Sequence, residues 1–365
     1  MTVNERGDLP SGFRGIEVFD EVNAIAEPGR QLQAIRSRAP EFQSWFRAQG
    51  TAVAVETCDL VATPFPREYA LWRAALSPTP FVRIYNRMMV VRFDDFDGVR
   101  RTLLVEPTDS RLAENTPFFR ALADRFGPRM RDLAVVWGPT VAEHLARLGI
   151  DPAEIDYITF DHLHVQDLRP HLGTTTPQPD LGTAEPLFPN AKLLVMRPEW
   201  EQMQRLHPLQ RNFFQPETYR DLRTDNVVCL DGDVLLGPGV AIIATPGHTI
   251  GNQTLVLNTD SGIWTQSENG VHPESYQPER SRIPGLARWA RSSGQEVVIN
   301  ANTPELAALH YNSMVKEKLI ADRGGPGGGW MQHFASSELT PWRLAPLVSP
   351  SFTYGALRHG SLKEE

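Results

Sequence analysis

A chain of 365 residues with 41% hydrophobic and 22% charged residues has the composition of a globular protein with a real core, and room for one large domain with additions or for two ordinary ones. Its formal net charge of −8 argues against a general nucleic-acid binder, which needs a basic surface. No apolar run approaches the roughly 18 residues of a membrane span, and two distant cysteines, Cys58 and Cys229, make neither a disulfide framework nor a thiolate metal site. Residues 1–6 lack the basic-then-apolar pattern of a secretory signal, so the expected compartment is the cytoplasm.

Residues 1–78 read as an α/β lead-in. Leu32, Ile35, Ala39, Phe42, Trp45 and Phe46 recur near helical spacing across 30–49. Residues 51–62 look like a strand closed by Pro64-Phe65-Pro66, and 67–76 return to helix before Pro78 and Pro80 break the chain. This lead-in is expected to cap a site or to offer a homodimer surface. A second region, 79–323, begins with β-rich runs at 81–93 and 101–105, separated by the turn-like 94–98. Helices are expected over 115–126 and 140–148. A strand at 156–160 follows, then a strand at 191–196 and a helix at 198–206. Strands at 227–230, 240–244, 253–257, 262–265 and 296–300 precede a helix at 309–321. The Gly-rich run 324–329 reads as a loop or hinge opening a tail, 324–365. Clustered strands alternating with helices suit two sheets packed face to face with helices outside, and function in loops at one end.

His162 and His164, at spacing two after the strand at 156–160, project from one side of an extended chain end. His248, on the Thr245-Pro246-Gly247 turn, can complete a facial set of nitrogen ligands that leaves a coordination position open. Each feature alone is ordinary: a His-x-His can be chance, and His248 can be a turn residue. Their joint occurrence points to a metal.

These residues resemble the metallo-β-lactamase-fold superfamily of metal-dependent hydrolases over roughly residues 80–320. The resemblance is carried by His162-Leu163-His164, by Phe188-Pro189-Asn190-Ala191-Lys192, by Thr245-Pro246-Gly247-His248-Thr249, and by Asp231-Gly232-Asp233 followed by Gly237-Pro238-Gly239-Val240. It implies an α+β, four-layer αββα sandwich with metal at one edge of the two sheets. The chain departs from the family pattern at the second metal. Gln166 and Asp167 stand where the first motif ends in Asp and His, Ser267 and Glu268 stand at the usual Gly and bridging acid, and Asn302 stands at the last His.

The resemblance therefore implies one or two divalent ions, zinc first with iron or manganese as alternatives, held by His162, His164, His248 and Glu268. Asp167 has three readings: ligand of a rebuilt second site with Gln166, base for an activated water, or a supporting acid that fixes a His ring or pairs with Arg169. His310 opens a helical run and could reach back as ligand or proton donor, although such a residue is more often a plain helix position. The expected activity is hydrolysis of an ester, lactone, thioester or phosphoester of a small molecule by an activated water. The alternatives are a non-haem iron oxidoreductase or oxygenase on the same fold and a non-catalytic metal-binding member.

Overall fold

The computed structural model describes residues 9–301 and 303–363. Apolar alternation builds its two sheets. In the strand Phe81–Asp94, Met89, Val91 and Phe93 join one core while Met88 and Val90 join another. Leu255 and Leu257 of Gln253–Thr259 likewise face the core shared with Val91 and Phe93, and Val256 faces away. Strands buried on both faces must lie between two further layers.

The larger sheet runs in the order Arg358–His359, Ala54–Pro66, Phe81–Asp94, Arg100–Val105, Tyr157–Thr159, Lys192–Met196, Val227–Leu230. Its last four strands are parallel. The smaller sheet runs Arg14–Gly15, Val234–Gly237, Val240–Ala244, Gln253–Thr259, Gly262–Gln266, His333–Phe334. Leu103, Leu194, Leu236, Ile242 and Trp264 fill the space between the sheets. Leu145 of the helix Val141–Leu148 packs with Leu104 and Ile158 outside the larger sheet. Ile35, Phe42 and Phe46 of Pro28–Arg47, with Met314 and Val315 of Ala307–Ile320, cover Ala241 and Ile263 outside the smaller one. This is the expected four-layer αββα sandwich.

The helices start where their sequences supply caps. Glu27 accepts the free N–H groups of Gly29 and Arg30 at 2.8 and 2.7 Å ahead of Pro28–Arg47. Thr140 and Glu143 form a reciprocal capping box for Val141–Leu148, which ends at a left-handed Gly149. No helix among the described residues is long and apolar enough to cross a membrane.

Several expectations differ in detail. The boundary expected at residue 78 is not a break in the fold, because Ala54–Pro66 pairs with Phe81–Asp94 along its whole length. The tail is equally integrated: His333–Phe334 adds to the smaller sheet, and Ser337–Thr340 and Arg358–His359 add to the larger. The glycine run is the tip of a short hairpin between Arg323–Gly324 and Trp330–Met331. The helix expected over 67–76 is one turn, Arg67–Ala70. Residues 296–300 form no strand, because their backbone groups bond elsewhere: Glu296 N donates to the Tyr311 hydroxyl at 3.0 Å and Val298 N to the Ser275 carbonyl at 2.7 Å.

Candidate metal centre

The strand Tyr157–Thr159 ends in the turn that carries His162 and His164, and Val240–Ala244 ends in the turn that carries His248. The backbone N–H of Gln253 donates to the Asp161 carbonyl at 2.8 Å and ties the two sheets together at this edge. The result brings His162, His164 and His248 together, all buried, with one nitrogen of each within 4.8 Å of the others. Val165 follows His164 with φ of 60°, and Glu106, beside Asp161, has φ of 55°. Such left-handed non-glycine residues cost energy and concentrate at functional sites.

The outward nitrogen of each ring meets an acceptor. His162 Nδ1 donates to the Asp161 carboxylate at 2.5 Å. His164 Nε2 donates to Gln210 Oε1 at 2.7 Å, and that amide is oriented by its own donation to Glu305 at 2.8 Å. His248 Nδ1 donates to Asn300 Oδ1 at 3.0 Å, and Asn300 in turn donates to the Glu268 carbonyl at 2.7 Å. With these protons committed outward, the inner nitrogens of the neutral His164 and His248 present lone pairs to one another, with the inner nitrogen of His162 beside them. His164 Nδ1 and His248 Nε2 stand 3.0 Å apart. Two facing lone pairs at that distance repel unless a cation lies between them, so the donor set fits a divalent metal ion, with the outer acceptors fixing ring orientation.

The electrostatics agree for two of the rings. Burial and the neighbouring His162 hold His164 and His248 well below the usual imidazole range, so both are neutral imidazoles. Burial opposes charge on His162, but Asp161 overrides it and lifts that ring to about 9, so without an ion it holds a second proton that a bound cation would displace. Burial and Asp161 push Glu106 well up, whereas Asp161 stays ionised against burial because His162 is beside it. Glu106 accepts the Asp161 N–H at 2.5 Å, and the Ser336 hydroxyl donates to Asp161 at 2.8 Å.

No protein-family model matches the chain. In sequence it is 29% identical over 116 residues to an N-acyl homoserine lactonase of a Bacillus species, covering 32% of this chain and 38% of that protein. It is 28% identical over 120 residues to an N-acyl homoserine lactonase of Bacillus cereus, covering 33% and 40%. The chain thus spans about two fifths of the length of the curated relatives it matches. Among solved structures it is similar to a dizinc quorum-quenching lactonase in complex with a product (TM-score 0.48, 11% identity, 80% of this chain and 90% of that one). It is also similar to a probable metal-dependent hydrolase from Staphylococcus aureus (TM-score 0.49, 10% identity, 74% and 85%). The four layers, the histidine cluster at their edge and the lactonase match in sequence agree. The chain has the metallo-β-lactamase fold.

Within that fold the other expected site residues occupy distinct places. Among the described residues, Glu268, Asp167 and His310 do not join the histidine cluster. Glu268 bonds the hydroxyls of Ser337 and Ser336, and burial pushes it up to about 7 although His162 pulls it down. Asp167 is fully enclosed with Arg169, whose Nη2 donates to it at 2.6 Å and to Asp180 at 2.7 Å. Of the three readings of Asp167, the Arg169 partnership is the one the geometry displays. Gln166 donates to the Thr108 hydroxyl at 3.0 Å. His310 donates to the Asn269 carbonyl at 2.6 Å, its ring centre 6.2 Å from that of His248, and burial holds it down to about 4. Asn302 lies outside the described residues; Asn300, two positions earlier, is the residue that meets His248.

Sequence reasoning missed Asp161, Glu106, Gln210, Asn300 and Glu199. Glu199 is completely buried and joins the two ligand turns: it accepts from Leu163 N at 2.8 Å, from the Thr249 hydroxyl at 2.6 Å and from the Gly251 backbone. An acid at the third position of a helix that follows a buried strand was the only signal available for it.

Proposed function

We propose that this chain is a metal-dependent hydrolase that opens a lactone or cleaves a related ester of a small molecule with water. The observation that carries the reading is the convergence of three buried imidazoles whose outward N–H groups are all committed. The relatives named N-acyl homoserine lactonases support a lactone as the first substrate class to test. His162, His164 and His248 would hold the ion, and zinc suits three imidazoles with an open position. When bound, the ion supplies Lewis acidity, which polarises the ester carbonyl and makes water nucleophilic near neutral pH. Asp161, Gln210 and Asn300 hold the rings in the donating tautomer. Glu268, whose charge is felt at His162, would take a proton from water or return one to the leaving oxygen.

The test is elemental analysis of the purified protein beside a panel of lactones and esters. About one zinc ion per chain is expected, with ring opening that a chelator abolishes. His248→Ala should lose metal affinity by more than the ~100-fold that removing an outer partner costs. Full metal occupancy in that variant would refute the assigned ligands. Two iron ions per chain with oxygen-dependent turnover would replace hydrolysis by oxygen chemistry.

A further inference from the structure

A separate apolar cluster, with Phe65, Leu71, Ile84, Leu286 and Leu339 among its buried members, is flanked by Trp72, Trp289 and Trp342, each only partly buried. Trp72 is held at φ of 43°, a left-handed conformation that costs energy in an aromatic residue. The loops that carry Trp72 and Trp342 also present Leu76, Leu344 and Leu347, which are 48%, 60% and 51% exposed. Three distant segments supply this face and are tied to one another. Leu76 N donates to the Pro284 carbonyl at 2.7 Å, and Arg282 N donates to the Ser351 hydroxyl at 3.2 Å. Arg67 donates to the Ser77 carbonyl and Arg83 to the Pro341 carbonyl, so an arginine pins each leucine-bearing loop. Large apolar side chains held out in water on neighbouring loops mark a contact surface.

Charge identifies the partner. The chain carries a net −8, yet no Asp or Glu occurs in 69–93, in 281–295 or in 339–363, the segments that build this face. Their exposed arginines, Arg73, Arg282, Arg288, Arg291 and Arg343, form no ion pair among the described residues. Elsewhere the exposed Arg36, Arg47, Arg100 and Arg197 each meet a carboxylate. Arg288 and Arg291 share the side of the helix Leu286–Ser293 turned away from its buried Leu286 and Ala290. A second copy of the chain, docked by the same face, would set these arginines against themselves. A nucleic acid would match the charge but leave Leu344 and Leu347 against a polar backbone. A bilayer with anionic lipid meets both demands: leucine enters its apolar boundary, tryptophan lies at headgroup level and arginine meets lipid phosphate. Such docking needs no spanning helix.

We propose that this face docks the protein on a membrane surface containing anionic lipid, with Leu344 and Leu347 in the apolar boundary and the five arginines facing the headgroups. The proposal does not depend on the reaction at the histidines. The test is co-sedimentation of the metal-loaded full chain with vesicles of phosphatidylcholine, alone and mixed with phosphatidylglycerol. Binding is expected to the mixed vesicles and not to the neutral ones, and it should weaken as salt rises. Arg288→Gln and Arg343→Gln should each lower vesicle affinity about fivefold. Leu344→Ser combined with Leu347→Ser should lower it at least about tenfold, with metal content unchanged. Val99→Ser, at an exposed position beside the acidic turn 94–97, should leave it unaltered. No sedimentation with the mixed vesicles, or binding that none of the arginine and leucine changes reduces, would overturn the proposal. Salt-independent binding of the wild type would do the same and needs no variant to fold. A wild-type dimer in light scattering that the double leucine variant makes monomeric would assign the face to a second copy and sink the membrane reading.

Discussion

At the scale of single residues, the metal centre depends on side chains that never touch the ion. Glu199 shows this most clearly. Its two oxygens take up N–H and O–H groups from both ligand turns, Leu163 from one and Thr249 and Gly251 from the other. Glu199→Gln keeps the shape but replaces one acceptor oxygen with an NH2 group, which leaves a buried donor facing a donor. We expect a stability loss of about 1–3 kcal/mol and metal binding weaker by about 10–100-fold, read by chelator competition alongside denaturant unfolding. Unchanged affinity would mean that each turn holds its own geometry. The histidine cluster itself was legible in the sequence because His162 and His164 share one strand end and His248 sits in a recognisable turn. Their partners were not, because Gln210 reaches His164 from 46 residues away and Asn300 reaches His248 from 52. No periodicity links such pairs. Asp167 illustrates the converse: it stood in the right motif, yet Arg169, two residues on, encloses it.

At the scale of elements, the turn bearing His248 is pressed against the helix Ala307–Ile320. A Cβ on Gly247 would lie 2.3 Å from His310 Cα, and one on Gly251 would lie 2.1 Å from Glu199 N. The absence of a side chain is therefore a packing requirement, and helix and turn must move together. Gly247→Ala should destabilise by about 1–3 kcal/mol or more by overpacking and lower metal affinity as the turn shifts. Gly232→Ala, where a Cβ would meet nothing within 4 Å, is the control and should leave both unchanged. Thermal unfolding with and without zinc separates them; equal melting of the two variants would refute the packing argument. Elements with a strong local signature were legible: the apolar stripe of Pro28–Arg47, the capped helix Val141–Leu148 and the long strand Phe81–Asp94. Residues 296–300 read as a strand because Val297 and Val298 are buried as strand residues would be, while the segment's hydrogen bonds go to a helix side chain, Tyr311, and to a carbonyl of the short helix Pro273–Tyr276. The lead-in and tail read as separate pieces because strand pairing between distant segments leaves no local mark. The ladder from Ala54–Pro66 to Phe81–Asp94, with those of Ser337–Thr340 and Arg358–His359, shows that they complete the larger sheet.

At the scale of the whole molecule, two sets of buried ionisable groups pull stability in opposite directions with pH. Burial holds His171 and His310 down to about 4, and His272 and His333 down to about 3. As pH falls below their ordinary value of 6.5, the unfolded chain takes up protons that the fold refuses, so each ring removes up to about 1.4 kcal/mol per pH unit until its own folded value is reached. The buried acids act the other way. Burial pushes Glu338 up to about 7 against the pull of Arg87, and it raises Glu317 and Asp233 in the same sense. For Glu338 the folded form gains protons between pH 7 and the ordinary carboxylate value of 4.5, so its contribution is complete below 4.5 and is lost as pH rises through about 7. The two trends offset one another between 4.5 and 6.5. Below 4.5 the unfolded acids are protonated as well and the histidine penalty stands alone. Above about 7 Glu338 is ionised in both states and adds no further slope. Denaturant midpoints measured at half-unit intervals from pH 3.5 to 8.5 should therefore show a plateau at mildly acidic pH, a steep fall beneath it and, above 6.5, a short decline that levels off past about 7. Replacing His272 or His333 with glutamine, which carries no titrating proton, should flatten the acid limb of any variant that folds. A midpoint that falls steadily from pH 6.5, with no plateau, would mean that the buried rings outweigh the acids throughout and that the offset argued here is wrong.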